Sequence, residues 1–262
     1  MKFVSVHRFL CALGAVLALG GDAFGQQPAG TSGPPPTYAL LSLVGDQFTV
    51  VSRREQTGSR LDQNARRSYP IDGATLDDMA VGAAEGVLKR LKPVSPTVRF
   101  SIRDPRLFEL QDKLLVDSAE SHGMREALAK LLREHQATRL VVVTKWRDDA
   151  RFQLYEKTTG TGKISGLGFY VEPFERIRRL DTGEEAFGFL GPYAYVKVTL
   201  VDVASMASIR SVPAMESQMN VPVHSKGVVL AWDALTPAAK VDALERVLRR
   251  AVETATAAAI AD

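Results

Sequence analysis

A glycine-rich stretch with a lysine, residues 158–174, is the first part of the sequence whose composition could support chemistry. Gly162 followed by Lys163 resembles a phosphate-binding loop, in which backbone amides and a lysine hold phosphate groups. That loop needs an earlier glycine at the position of Lys157 and a hydroxyl residue at the position of Ile164. The dinucleotide-binding fingerprint also fails, because its third glycine is missing and β-forming residues follow instead of a helix. We therefore predict paired strands here and no nucleotide site.

The histidines show no spacing that indicates a metal site. Beyond the amino-terminal segment the chain contains only His122, His135 and His224, which lie far apart in the sequence. Zinc sites usually take pairs of ligands a few residues apart, so that one helix or loop presents both. We therefore predict that the protein holds no metal and no cofactor, and that His135 lies at a helix end.

Acidic and hydroxyl residues likewise form no catalytic pattern. The adjacent acids Asp77-Asp78 and Asp148-Asp149 are of a kind that usually serves a helix dipole or a turn. The serines at positions 205, 208 and 211 have no histidine near them in the sequence, and there is no nucleophile-elbow motif. The sequence therefore predicts a non-enzymatic protein. A secreted or periplasmic hydrolase with a site assembled from scattered residues is the alternative.

The amino terminus has the order of segments found in secretory signal peptides. A basic segment, residues 1–8, precedes an uninterrupted apolar run at residues 9–21, and small residues follow as far as Gly25. The run is shorter than the roughly 20 residues that a membrane-spanning helix needs. We predict a signal peptide over residues 1–25, cleaved near Gly25/Gln26, and hence a periplasmic or secreted protein. A buried helix or a membrane anchor is the alternative.

The rest of the chain is predicted to be a short leader followed by one domain. Residues 26–37 are rich in proline, glycine, serine and glutamine, which favours a flexible leader. Residues 38–262 are enough for a single α/β domain. The only cysteine, Cys11, lies in the predicted signal peptide. The mature chain would therefore contain no disulfide and no thiol chemistry.

Helical periodicity predicts the three main helices of this domain. The first begins at Thr75, carries apolar residues at helical spacing and stops at Pro93. The second covers residues 121–136. The third begins with Thr236 as its N-cap and Pro237 at the first helical position, which is the favoured place for proline in a helix.

Apolar, β-prone runs predict a mixed sheet. Residues 38–44 and 48–52 are predicted to form a hairpin through a compact turn at residues 45–47. Residues 97–102 alternate as a strand. Residues 139–146 (RLVVVTKW) form a continuous apolar run, which predicts a strand near the centre of the sheet, covered on both faces.

The last third of the chain completes the fold prediction. Residues 193–203 and 207–212 are predicted to form a second hairpin, with a turn at residues 204–206. Between the central strand and this hairpin lies an inserted β-hairpin, at about residues 150–192. Strands that alternate with long helices indicate a layered domain. The predicted fold class is therefore α/β (α+β), with a mixed sheet, three main helices on it and an inserted hairpin.

The strands around the second hairpin resemble a known group of envelope domains. Residues 140–145 (LVVVTK), 200–203 (LVDV) and 208–211 (SIRS) resemble the periplasmic α/β domain of the TolB amino terminus and of the curli secretion channel protein CsgG. This resemblance implies assembly work in the cell envelope without catalysis. Two features depart from it. The turn has Ser205-Met206 where the family usually has Thr-Gly, and residues 148–192 interrupt the expected order.

The inserted hairpin is the candidate interaction surface. It is rich in aromatic residues, and glycines in its strands indicate bends or the close approach of another backbone. The candidate surface consists of Phe169, Tyr170, Phe174, Phe187, Phe189 and Tyr193. One interpretation is that these rings extend the core. The other is that they are exposed and contact a partner protein, a like subunit or the membrane surface.

Together these patterns predict an exported, non-enzymatic periplasmic binding or assembly protein of the cell envelope. The net charge is +3. Without the predicted signal peptide it is about +2, which produces no strong field for nucleic acid. The expected partner is an envelope protein or a like subunit, and a purely structural subunit that self-associates is a further possibility. No transmembrane helix is expected in the mature chain, but contact with a membrane surface is possible.

Overall fold

The computed structural model describes residues 33–54, 62–71, 73, 75–102, 104–116, 118–154, 157–178, 183, 185–222 and 230–261. The predicted signal peptide, residues 26–32 of the predicted leader and His224 lie outside these ranges. The compact unit Pro35–Asp262 contains every element described below.

Four α-helices lie in the described part of the chain: α1 (Thr75–Leu91), α2 (Pro105–Glu109), α3 (His122–Glu134) and α4 (Pro237–Ile260). The strands are β1 (Tyr38–Ser42), β2 (Gln47–Ser52), β3 (Ala65–Pro70), β4 (Thr97–Phe100), β5 (Arg139–Lys145), β6 (Arg147–Asp149), β7 (Phe152–Gln153), β8 (Thr158–Thr159), β9 (Lys163–Arg178), β10 (Glu185–Asp202) and β11 (Ala207–Ser217). A 3₁₀ turn spans Ala231–Ala234.

One mixed sheet contains most of the described strands, in the order β3-β2-β9-β10-β5-β1-β4. Strand β11 runs along the other side of β10, and β6 pairs with the start of β9. Strands β4, β1 and β5 are parallel to one another, whereas β10 is antiparallel to β5, β9 and β11. The predicted α/β fold with a mixed sheet is therefore confirmed, and β5 is an interior strand as predicted.

Strand β10 holds the two halves of the sheet together. Its residues up to Tyr195 pair with β9, and its residues from Val196 onward pair with β5. Strands β9 and β5 therefore lie end to end along the same side of β10. Most of β10 is buried, which is typical of an interior strand that is covered on both faces.

The predicted hairpin between residues 38–44 and 48–52 is wrong. Strand β1 lies between β4 and β5 and is parallel to both, whereas β2 pairs with β3 and β9 in the other half of the sheet. All five residues of β1 are buried, which is typical of an interior parallel strand. Gly45, at φ +76°, lies in the connection that carries the chain from one half to the other.

Helices cover the sheet on both faces. Helices α1 and α4 pack on one face around Leu40 and Val141, and α3 packs on the opposite face around Leu41 and Val142. Neighbouring strand residues alternate between these two clusters because successive side chains of a strand point to opposite faces. The three main helices are thus confirmed. Thr236 caps α4 as predicted, since its Oγ1 accepts the Ala239 N–H at 3.3 Å.

A third apolar cluster lies under the segment that contains β6, β7 and β8, on the same side of the sheet as α3 but at the β9–β10 end. It is built around aromatic rings, namely Phe152, Tyr170, Phe189, Tyr193 and Tyr195. Strands β9 and β10 form the predicted hairpin. The inner part of that hairpin belongs to the main sheet, because β9 also pairs with β2. This placement decides which of the candidate side chains reach solvent.

Candidate functional site

The glycine-rich loop at residues 160–163 is hydrogen-bonded to the segment that contains Asp62 and Asn64, and it therefore has a structural role. The Lys163 N–H donates to Asp62 Oδ2 at 3.0 Å, and Asn64 Nδ2 donates to the Thr161 carbonyl at 2.6 Å. Gly162 has φ +74°, and a Cβ at this position would lie 2.5 Å from Asp62 Cγ. The Lys163 amide is thus used within the chain. Gly162 is needed for close approach and for its left-handed backbone conformation.

Four of the six predicted surface residues are in the core, so the prediction of an exposed surface is wrong for them. Phe169 is 3% exposed, and Tyr170, Phe189 and Tyr193 are 0% exposed. Phe169 packs against Trp232 with the ring centroids 5.7 Å apart. On the opposite face, Tyr170 and Phe189 both pack on Phe152. The physical reason is that this part of the hairpin is covered on both faces, by the 3₁₀ turn on one and by the segment of β6–β8 on the other.

The buried tyrosines hold the covering segment on the sheet through their hydroxyl groups. Tyr195 OH donates to the Asp149 carbonyl at 3.1 Å and accepts the Arg151 N–H at 3.0 Å. Tyr170 OH accepts the Thr161 N–H at 3.0 Å. Burial raises the pKa of Tyr170, Tyr193 and Tyr195 above the ordinary value. These phenols therefore stay protonated at neutral pH and have a structural role.

The other two predicted residues, Phe174 and Phe187, are exposed. Phe174 is 48% and Phe187 is 56% accessible, and both lie in the outer part of the hairpin beyond Phe189. The strand register shifts between Phe187 and Phe189, and Gly188 lies at this bulge with φ +77°. A bulge bends a strand and re-aims its side chains. The candidate site is therefore the outer part of the hairpin. It consists of Phe174, Phe187 and the bulge at Gly188.

An ion pair between the buried Glu172 and the partly exposed Arg53 lies next to Phe174. Glu172 is completely buried, and its Oε2 accepts a hydrogen bond from Arg53 Nη1 at 2.9 Å. Its other oxygen, Oε1, accepts the Phe174 N–H at 3.0 Å. The Arg53 guanidinium also lies 5.9 Å from the centroid of the Phe174 ring. The hydrogen bond to Glu172 raises the pKa of Arg53 above its already high ordinary value, so the cation is permanent.

A second polar cluster, which the sequence analysis missed, lies where β1 and β5 end. The Gly45 N–H donates to Asp77 Oδ1 at 3.2 Å, and Ser42 Oγ accepts the Val44 N–H at 3.4 Å. Burial raises the pKa of Asp77 and lowers that of Lys145, whose side chain packs along Gly166. Asp77 thus holds the β1–β2 connection. Ser42 and Lys145 each end an apolar strand, and this is the feature of the sequence that could have indicated the cluster.

The two histidines in the described residues lie apart. His122 and His135 lie at opposite ends of α3, and the His135 ring packs edge-on against Phe100 with centroids 5.2 Å apart. His135 therefore lies at a helix end as predicted. Among the described residues, no group of three His, Cys, Asp or Glu side chains is placed to hold a metal ion. None of the described helices is both long and apolar enough to span a bilayer.

Comparison with known proteins shows no family. No protein-family model and no curated protein matches the sequence. Among solved structures, the PelC dodecamer from Paraburkholderia phytofirmans has 10% identity and a TM-score of 0.34, with 87% of this chain and 90% of that chain covered. Protein XCC0632 from Xanthomonas campestris, of family-model DUF330, has 8% identity and a TM-score of 0.32, covering 85% of this chain and 80% of that one.

The hypothetical protein CT253 from Chlamydia trachomatis is similar at the same level. It has 12% identity and a TM-score of 0.31, with 86% of this chain and 99% of that chain covered. Similarity this low carries no conclusion about function. The candidate site therefore rests on its own geometry.

Proposed function

We propose that this chain is an exported, non-enzymatic binding or assembly protein of the cell envelope, periplasmic or secreted after cleavage near Gly25/Gln26. The outer part of the β9–β10 hairpin is its recognition surface, and the partner is an envelope protein or a like subunit. The observation that carries this proposal is the exposure of Phe174 and Phe187 on a hairpin whose other aromatic rings are buried.

The exposed rings favour recognition for a physical reason. Each exposed phenylalanine keeps a large apolar surface in water, which a partner could bury with a gain of about 25 cal/mol per Å². Aromatic side chains also dominate interface energies when they enter pockets. Charged pairs lie on the same outer part of the hairpin, because Arg176 pairs with Glu185, and Glu175 pairs with Lys157. Protein interfaces commonly contain charged groups as well as apolar ones.

The resemblance of β5, β10 and β11 to the TolB and CsgG domains supports the same proposal. In this chain, Asp202 at the end of β10 accepts hydrogen bonds from the Ser205 N–H at 3.0 Å and the Ser205 hydroxyl at 2.9 Å. It also pairs with Arg139 at the start of β5. The aspartate of the LVDV stretch thus closes the turn and joins two strands, which explains its place in such a pattern.

A cross-linking experiment tests the recognition surface. Benzoylphenylalanine is placed at position 174 or 187 of the full chain in its native host, with Val94 as the control position because it is 76% exposed elsewhere on the surface. Irradiation should give one discrete adduct from positions 174 and 187 and none from position 94. The adduct mass separates a like subunit from another envelope protein. Equal adduct yields at all three positions would overturn the proposal.

Export is tested separately. The amino terminus of the protein isolated from the native host should begin at or near Gln26. An intact Met1 in the soluble fraction would contradict export, and with it the envelope role.

A further inference from the structure

We propose that Glu172, held by Arg53, is a positioning residue for this recognition surface, fixing the backbone and ring of Phe174 in the orientation that the partner meets. The inference rests on the proposed function, because it concerns how Phe174 is oriented on that same recognition surface. It adds a role for two residues that do not themselves belong to the exposed aromatic pair.

The contacts of Glu172 link the core to the surface. One carboxylate oxygen accepts from the guanidinium of Arg53 at 2.9 Å, and the other accepts the Phe174 N–H at 3.0 Å. Arg53 follows β2, and its own backbone N–H donates to the Val171 carbonyl at 3.0 Å. The position of Arg53 is therefore set by the pairing of β2 with β9. Through Glu172, this pairing controls the backbone of Phe174.

The strand geometry at this point explains why the backbone of Phe174 needs an additional contact to fix it. Opposite Glu172 the register of β9 and β10 shifts, and Gly188 approaches so closely that a Cβ would lie 2.3 Å from the Glu172 carbonyl oxygen. The regular ladder of backbone hydrogen bonds is interrupted at a bulge, so the residues beyond it are less constrained. The Glu172 side chain replaces the missing constraint by binding the Phe174 amide directly.

Stability alone gives a poor account of this ion pair. The completely buried carboxylate of Glu172 loses its hydration, and its attraction to the partly exposed Arg53 is weakened by solvent. Polar groups in such positions are best understood where they select one arrangement of the chain. The Arg53 guanidinium is partly exposed beside the Phe174 ring, where it also limits the motion of that ring. Both contacts act on the same exposed phenylalanine.

Amide hydrogen exchange on the exported, purified protein tests the positioning directly. In Glu172→Ala the Phe174 amide loses its acceptor, and its exchange should become at least about tenfold faster, while the Val198 amide in β10 is unchanged. Glu245→Gln is the matched control, because Glu245 also pairs with an arginine, Arg249, but lies on α4 and not on the hairpin. Unchanged exchange at Phe174 in Glu172→Ala would overturn the inference.

Cross-linking from position 187 then connects positioning with recognition. Glu172→Gln should lower the adduct yield several-fold, as Phe174→Ser does, whereas Glu245→Gln should leave it unchanged. If Phe174→Ser lowers the yield and Glu172→Gln does not, the positioning role is wrong and the surface stands. If Phe174→Ser has no effect either, the proposed function itself fails.

A second variant keeps the test decisive if the Glu172 variants do not fold. Arg53→Lys retains the positive charge but lacks the planar guanidinium beside the Phe174 ring. It should raise the exchange rate at Phe174 and lower the adduct yield with little change in melting temperature. Wild-type exchange and wild-type yield in Arg53→Lys would count against the inference.

Discussion

Arg99 on β4 donates a hydrogen bond of 2.6 Å to Glu85 on α1, and this contact joins the first helix to the edge of the sheet. Lys89 Nζ lies 2.8 Å from the same carboxylate oxygen, and Thr97 Oγ1 donates to the other oxygen at 3.2 Å. The hydrogen bonds from Arg99 and Lys89 lower the pKa of Glu85 from 4.5 to about 2. The side chain is largely shielded from solvent, with 13% exposure.

The Glu85 contact predicts a specific acid sensitivity. Because the pKa is depressed in the folded state, the contribution to stability is present above pH 4.5 and is lost as the pH falls to about 2. We expect this contribution to be about 2 kcal/mol after allowance for the exposed cations. Unfolding free energies of wild type and Glu85→Gln, measured by denaturant titration, should differ above pH 4.5 and converge near pH 2. A difference independent of pH would contradict the assignment.

Two glycines should respond oppositely to alanine. Gly162→Ala should destabilise the protein by about 2–3 kcal/mol, because the backbone is left-handed and the new Cβ would displace Asp62. Gly82→Ala is the matched comparison, since Gly82 lies inside α1 with nothing within 4 Å of an added Cβ. It should stabilise by about 0.5–1 kcal/mol through the unfolded chain. Thermal unfolding measures both changes, and destabilisation by both would contradict this account.

The aromatic residues of the hairpin should separate into two classes. Phe169→Ser and Phe189→Ser should each cost about 3–5 kcal/mol, because both rings are buried. Phe174→Ser and Phe187→Ser should change stability by less than about 1 kcal/mol, because both rings are exposed. Chemical denaturation of the four variants measures these changes in the free energy of unfolding. A large loss for Phe174→Ser would place that ring in the core.

Among the described strands, β11 pairs only with β10, and Pro213 is expected to protect the other edge of β11. The backbone N–H and C=O groups of Leu190 in β10 bond to Asn220, and the Pro192 carbonyl accepts from the Gln218 N–H. The backbone N–H and C=O groups of even-numbered residues of β10 therefore point toward the β11 side. Pro213 pairs with Lys197, and its nitrogen therefore points away from β10. The proline removes a donor from the exposed edge, which discourages pairing with another chain.

Replacing this proline should expose the edge. We expect Pro213→Thr to increase self-association in sedimentation experiments, with the melting temperature nearly unchanged. Ser211→Thr is the control, because it adds the same β-branched side chain on the same strand without a new N–H donor. Equal association in the two variants would show that Pro213 does not protect the edge.

Helix ends could be predicted from the sequence because their determinants are local. Thr236 and Pro237 define the start of α4, and the first helix ends at Leu91, shortly before the proline at position 93. Capping and proline effects act within one turn of helix. The two antiparallel hairpins, β9–β10 and β10–β11, were also predictable, because only a few residues separate the paired strands in the sequence.

Strand partners could not be predicted in the same way. Residues 38–44 and 48–52 looked like a hairpin because each is apolar and a compact turn separates them. Strand β1 instead pairs with β5, which is distant in sequence. Such pairing depends on which strands share a buried face, and apolar composition does not carry that information.

The sequence by itself determined the three main helices, most of the long strands, the mixed α/β class and the hairpin that contains the candidate site. The tertiary structure decided which of its aromatic rings are exposed. Trp232 packs on Phe169, and Phe152 packs on Phe189, and both of these covering rings come from other parts of the chain. Phe174 and Phe187 lie farther out on the hairpin and are exposed. The physical reason is that hydrophobicity is a property of each residue, but burial is set by segments that only the folded chain brings together.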